Sequence, residues 1–119
     1  MSLDESWRFR LEDAVDRFNA SGLTRIVAGL MRTLGLPRVS IGAAAGSPDE
    51  VRITVAWELS WYQWEVGADG SEAVREVRKG KEISELDDSE RAWNARADTD
   101  GKLRLEAAAA GGTGGQPGE

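Results

Sequence analysis

Val51-Arg52-Ile53-Thr54-Val55-Ala56-Trp57-Glu58-Leu59-Ser60-Trp61-Tyr62-Gln63-Trp64-Glu65-Val66 decides how this chain folds. From Val51 to Trp61 the apolar residues fall on odd positions, the period of two that sets them on one face of a strand. At Tyr62 the phase changes. Tyr62, Trp64 and Val66 become the apolar set, with Gln63 and Glu65 between them. A straight strand of about 16 residues would run roughly 50 Å, well past ordinary strand lengths, so the chain has to bend near Glu58–Tyr62. Since no Gly, Pro or Asn stands there to make a tight hairpin, the sequence predicts a β-bulge in a long curved strand.

Upstream of that stretch the period is helical. Trp7, Leu11, Ala14, Val15 and Phe18 recur at spacings of three and four between Asp4 and Asn19, which predicts an amphipathic helix. After Asn19-Ala20-Ser21-Gly22, with Ser21 as the expected cap, a second apolar stripe follows: Leu23, Ile26, Val27, Leu30, Met31 and Leu34. Gly35 and Pro37 end it, giving an αα-hairpin. The second stripe reads as core, the alternative being a groove for a partner helix. Val39-Ser40-Ile41 opens the first strand, and Gly46-Ser47-Pro48-Asp49 reads as a turn.

Downstream, Asp69-Gly70 is a hairpin signal leading to a strand over Ala73–Val77. Ser84 or Asp87 caps an expected helix carrying Leu86, Trp93 and Ala97, with Glu90 completing a capping box. Asp98-Thr99-Asp100-Gly101 then turns into a short closing strand, Lys102–Leu105. Together these elements predict an α+β domain over residues 1–105. An N-terminal αα-hairpin packs on one face of a curved, mainly antiparallel sheet of four to five strands, with one further helix near the C-terminus. Residues 106–119, EAAAAGGTGGQPGE, hold five of the 14 glycines and no large apolar residue, and are expected to form a disordered Gly/Ala-rich tail.

Composition narrows the chemistry. The 119 residues include no cysteine and no histidine, which removes thiolate nucleophiles, imidazole bases and the metal sites those side chains make. Hydrophobic residues are 40% of the chain, enough to bury a core, and the net charge of -6 disfavours phosphate binding. The basic stretch Arg75-Glu76-Val77-Arg78-Lys79-Gly80-Lys81 reads as protection of a strand edge, and nucleic acid is not expected as a partner. Asp98-Thr99-Asp100-Gly101 resembles part of a calcium loop, but Arg96 and Ala107 stand where its outer acidic ligands belong, so the motif reads as a turn. No cofactor, metal or catalytic residue is assigned. The acidic Met1–Glu5 lacks the layout of a signal peptide and no run of about 18–20 apolar residues occurs, so the expectation is a cytoplasmic protein without a membrane partner.

Trp57, Trp61, Tyr62 and Trp64 crowd into eight residues beside Glu58, Gln63 and Glu65. Trp57 and Trp61 continue the core series, whereas Tyr62 and Trp64 fall after the phase change and are available for contact. The candidate partner or ligand surface is therefore Tyr62, Trp64, Trp61, Glu58 and Glu65. The element order, small size and acidity are similar to those of type III secretion chaperone-like proteins. That similarity covers layout and composition, and it implies a dimeric effector-binding module. The expected function is a small, acidic, non-catalytic interaction or chaperone-like adaptor module with a protein or peptide partner, itself a homodimer. The alternative is a small-molecule-binding domain or carboxylate enzyme whose pocket, between helices and sheet, is lined by Trp57, Trp61, Tyr62, Glu58 and Glu65.

Overall fold

A computed structural model describes residues 3–44, 47–67 and 74–106, with side chains over 8–44, 50–67 and 74–106. Helices α1 (Leu3–Ala20) and α2 (Leu23–Leu34) precede strands β1 (Arg38–Ala44), β2 (Ser47–Trp57), β3 (Ser60–Val66), β4 (Val74–Gly80), β5 (Ala95–Ala97) and β6 (Leu103–Leu105). All pairings are antiparallel, in the order β4-β3-β2-β1-β5-β6. The α+β class is as predicted, but the sheet has six strands instead of four to five.

The bend is a hairpin, not a bulge. Trp57 pairs with Ser60, leaving Glu58 and Leu59 as a two-residue loop, and neither has the positive φ that Gly or Asn would mark. The loop also explains the phase change. Residues directly opposite share a face, and Val55 lies opposite Tyr62, Ile53 opposite Trp64 and Val51 opposite Val66. A two-residue loop thus pairs odd positions of β2 with even positions of β3. A bulge does occur, but between β3 and β4 at Gln63/Trp64. Similarly, β2 already begins at Ser47, paired with Ala44, so Ser47, Pro48 and Asp49 of the predicted turn belong to a strand. The Asp69-Gly70 turn and residues 107–119 lie outside the described residues.

The helical face of the sheet is apolar. Val39, Ile41, Val51, Ile53, Val55, Trp57, Trp64 and Val66 pack with Leu11, Ala14, Val15 and Phe18 of α1 and Val27 of α2. Ser21 stitches the two helices together by donating its hydroxyl to the Phe18 carbonyl (2.6 Å) and accepting the Leu23 N–H (3.2 Å). Gly101, at φ 86°, closes the Asp98–Gly101 turn against α2, and a Cβ there would overlap the Thr24 carbonyl.

The opposite face is covered as well. The predicted C-terminal helix is instead a strap, residues 81–94, with two short 3-10 turns, Ile83–Glu85 and Asp88–Arg91, before β5. The Asp87/Glu90 capping box forms as predicted. No α-helix grows from it, because Glu90 is drawn toward the sheet and Trp93 adopts a left-handed backbone at φ 49°. The strap crosses from Trp61 on β3, past Ala56 on β2, to Ser40 and Ile41 on β1. Two asparagine amides complete the sheet by mimicking peptide groups. Asn94 exchanges hydrogen bonds with Ile41 N–H and carbonyl (2.8 and 2.9 Å), and Asn19 does the same with Leu103 (2.8 and 3.0 Å).

Candidate functional site

The hairpin divides the aromatic cluster between the two faces. Trp57, Tyr62 and Trp64 stand on the helical face. Trp64 is 1% exposed, with the Phe18 ring edge-on at 5.3 Å, and Tyr62, half-buried, stacks on it at 6.0 Å and meets Trp57 edge-on at 6.3 Å. Trp61 points the other way, under the strap. Its indole N–H is shared by the Glu82 carbonyl (2.9 Å) and the Glu85 carboxylate (3.0 Å), and the Arg78 guanidinium lies 5.1 Å from its ring. Gly80 makes that position possible, since a Cβ on β4 there would overlap the indole.

Glu65 is buried on the strap face, and Glu58 is exposed in the loop beyond the other end of β3. The five candidate residues therefore do not form one surface or line one pocket: three are buried, on two faces, and the two carboxylates are separated by most of a strand. Among the described residues no group of three or more carboxylates gathers as a metal site, and no helix is long and apolar enough to cross a membrane.

Sequence reasoning missed the polar network beneath the strap. Arg52 on β2 donates Nε to Glu65 Oε2 (3.1 Å) and Nη1 to Glu90 Oε2 (3.0 Å). That Glu90 oxygen also accepts from Gln63 Nε2 (2.8 Å) and Arg78 Nη1 (3.0 Å), while Oε1 accepts the Asp87 N–H (2.9 Å). Burial pushes the Glu90 carboxyl upward, but the hydrogen bonds from the backbone, Gln63 and Arg52 prevail and hold it below the usual carboxylate range. Arg52 is held above its usual value in the same way, with burial opposing and Glu65 and Glu90 outweighing it. Glu90 thus latches the strap to three side chains of the sheet. Gln63 is fully buried, Arg52 partly so and Arg78 exposed at the edge, an arrangement suited to holding a cover down.

What the fold leaves uncovered lies elsewhere. The α2 stripe does not all reach the core: Val27 is fully buried and Leu23, Leu30 and Met31 are partly so, while Ile26 is 50% and Leu34 44% exposed. Beyond the helix Leu36 is 73% exposed, and in the β2–β3 loop Leu59 is 76% exposed. The segment after α2 lies beside the β2–β3 loop. Trp57 Nε1 donates to the Gly35 carbonyl (2.7 Å), and the β1–β2 register, extended past Arg38 opposite Ala56, carries Leu36 alongside Glu58. Leu34, Leu36 and Leu59 therefore lie toward the same end of the fold, and Ile26 stands about two turns back along α2. Leu36 also borders an open groove of about 560 Å³, lined with Pro37, Arg96 and the Asp98–Asp100 turn.

Neither a family model, nor a curated protein, nor a solved structure matches the chain. Its function is read from this geometry alone.

Proposed function

We propose that the chain is a small, non-catalytic protein-interaction module of the adaptor or chaperone-like kind, whose contact face is the apolar band of α2 and the adjoining sheet end. The observation that carries this reading is the clustering of exposed aliphatic side chains. Of the five large hydrophobic residues exposed among those described, Ile26, Leu34, Leu36 and Leu59 fall in that band and Phe9 alone lies on α1. Scattered surface hydrophobics are ordinary, but a contiguous patch marks a place that another surface covers. The carboxylate-enzyme alternative loses its support, because Glu58 and Glu65 do not converge and Glu65 is committed to Arg52.

Affinity capture from the native host, with untagged chain as competitor, tests the proposal. A partner held by the wild-type chain, displaced by competitor and lost from Leu36→Asp/Leu59→Asp while the variant melts normally is the expected result. Light scattering of the same samples determines whether a second copy takes part. A partner retained equally by the variant would contradict the assignment of the band.

A further inference from the structure

Resting on that interaction reading, we infer that the outer face of α2 takes an acidic amphipathic helix from a partner protein. Arg25, Gly29 and Arg32 follow at spacings of four and three, so they form a row along α2, with Ile26, Leu30 and Thr33 in the row beside it. Arg25, Ile26, Gly29, Arg32 and Thr33 are all exposed, so the two rows face outward together. α2 contains no acidic residue. Among the described residues the Arg25 and Arg32 side chains have no ion pair, whereas on α1 Arg8 pairs with Glu12 and Arg17 with Asp13. An apolar strip beside two guanidinium groups on a helix without an acid, in a chain of net charge -6, is a local inversion of the protein's own charge.

An amphipathic helix laid along this face would place aliphatic anchors on Ile26, Leu30 and Leu34, and carboxylates against Arg25 and Arg32. Gly29, between the two arginines of its row, has nothing within 4 Å of where a Cβ would stand, so a partner backbone has room to approach closely. A second copy of this chain fits less well. Two α2 helices crossing antiparallel near Gly29 would bring Arg25 of one copy beside Arg32 of the other, and juxtaposed like charges oppose association.

Two fluorescein-labelled, end-blocked peptides of about five helical turns test the inference. Both carry leucine at three- and four-residue spacing, one with glutamate and the other with lysine at the remaining positions. Fluorescence anisotropy should show the glutamate peptide binding the wild-type chain at least about tenfold more tightly than the lysine peptide, as charge-selected interfaces do. Arg25→Glu/Arg32→Glu should reverse that preference, and Ile26→Glu should weaken both peptides, with urea melts verifying that each variant is folded. Equal binding of the two peptides, or a glutamate preference unchanged in the double variant, would overturn the acidic helix as occupant. A wild-type dimer that Ile26→Glu makes monomeric would assign the face to a second copy, overturning the inference while supporting the interaction reading. If neither peptide binds and Leu36→Asp/Leu59→Asp still releases a captured partner, the inference alone falls; if no partner is released either, both fall.

Discussion

The two faces of this sheet are built on opposite principles. Toward the helices lies a dry apolar layer in which Ile53, Val55, Trp64 and Phe18 are fully buried or nearly so. Toward the strap lies a layer held by charge, in which Arg52, Glu65, Gln63 Nε2, Arg78 and Glu90 pair with one another across three strands and a loop, while the buried Gln63 Oε1 has no partner. The apolar face tolerates no loss of volume, because neighbouring side chains collapse only partly into a cavity. The charged face tolerates no loss of a partner, because each group taken from water is stable only while paired. Among the described residues, four of the five exposed large hydrophobic side chains lie on α2 and toward the sheet end, outside both layers.

The largest effect should come from the helical face. Trp64→Ala removes the ring between Phe18 and Tyr62 and should cost about 4 kcal/mol in urea unfolding. On the strap face Arg52→Met keeps the bulk but leaves Glu65 and Glu90 without their shared donor, and should cost about 3 kcal/mol. If Arg52→Met were as stable as wild type, the charged layer would be a surface decoration and the contrast between the faces would collapse.

A smaller effect separates the faces by pH. Glu90 is held below its ordinary range in the folded state, so in the acid window the unfolded chain binds more protons and stability rises with pH. The contribution is fully present above the unfolded carboxylate value and is lost as pH falls through the folded one. Asp87, held low chiefly by the Ser89 hydroxyl, acts in the same direction. Glu90→Gln should therefore be less stable than wild type at neutral pH and lose less stability on acidification, as followed by melts from pH 7 to pH 3. Parallel acid limbs for the two proteins would show that Glu90 does not latch the strap.

How far this was legible in the sequence follows the range of the interactions. Local periodicity placed α1 correctly through Leu11, Ala14, Val15 and Phe18, and the odd-numbered series placed β2. The Asp98–Gly101 turn was legible because Asp and Gly carry their turn chemistry with them. The Glu58-Leu59 hairpin was not, because its residues lack positive φ and carry no turn signature, although the parity shift at Tyr62 is what a two-residue loop produces. That mistake made Trp64 look available for contact when it faces Phe18. Glu90 and Arg52 stand 38 residues apart, and no local pattern announces such a pair. The α2 stripe was visible, but how it divides between core and surface depends on where the sheet meets it. Two arginines without an acid on that helix, and a leucine at the tip of a polar hairpin, were the available signals.

The most direct test of the whole account is the unfolding midpoint of Leu36→Asp/Leu59→Asp measured beside that of Trp64→Ala. With both leucines on the uncovered band and Trp64 in the packed layer, the double variant should stay within about 0.5 kcal/mol of wild type, as surface changes do, while Trp64→Ala falls by several kcal/mol. A double variant that unfolds as readily as Trp64→Ala would mean that Leu36 and Leu59 belong to the core and not to a contact face.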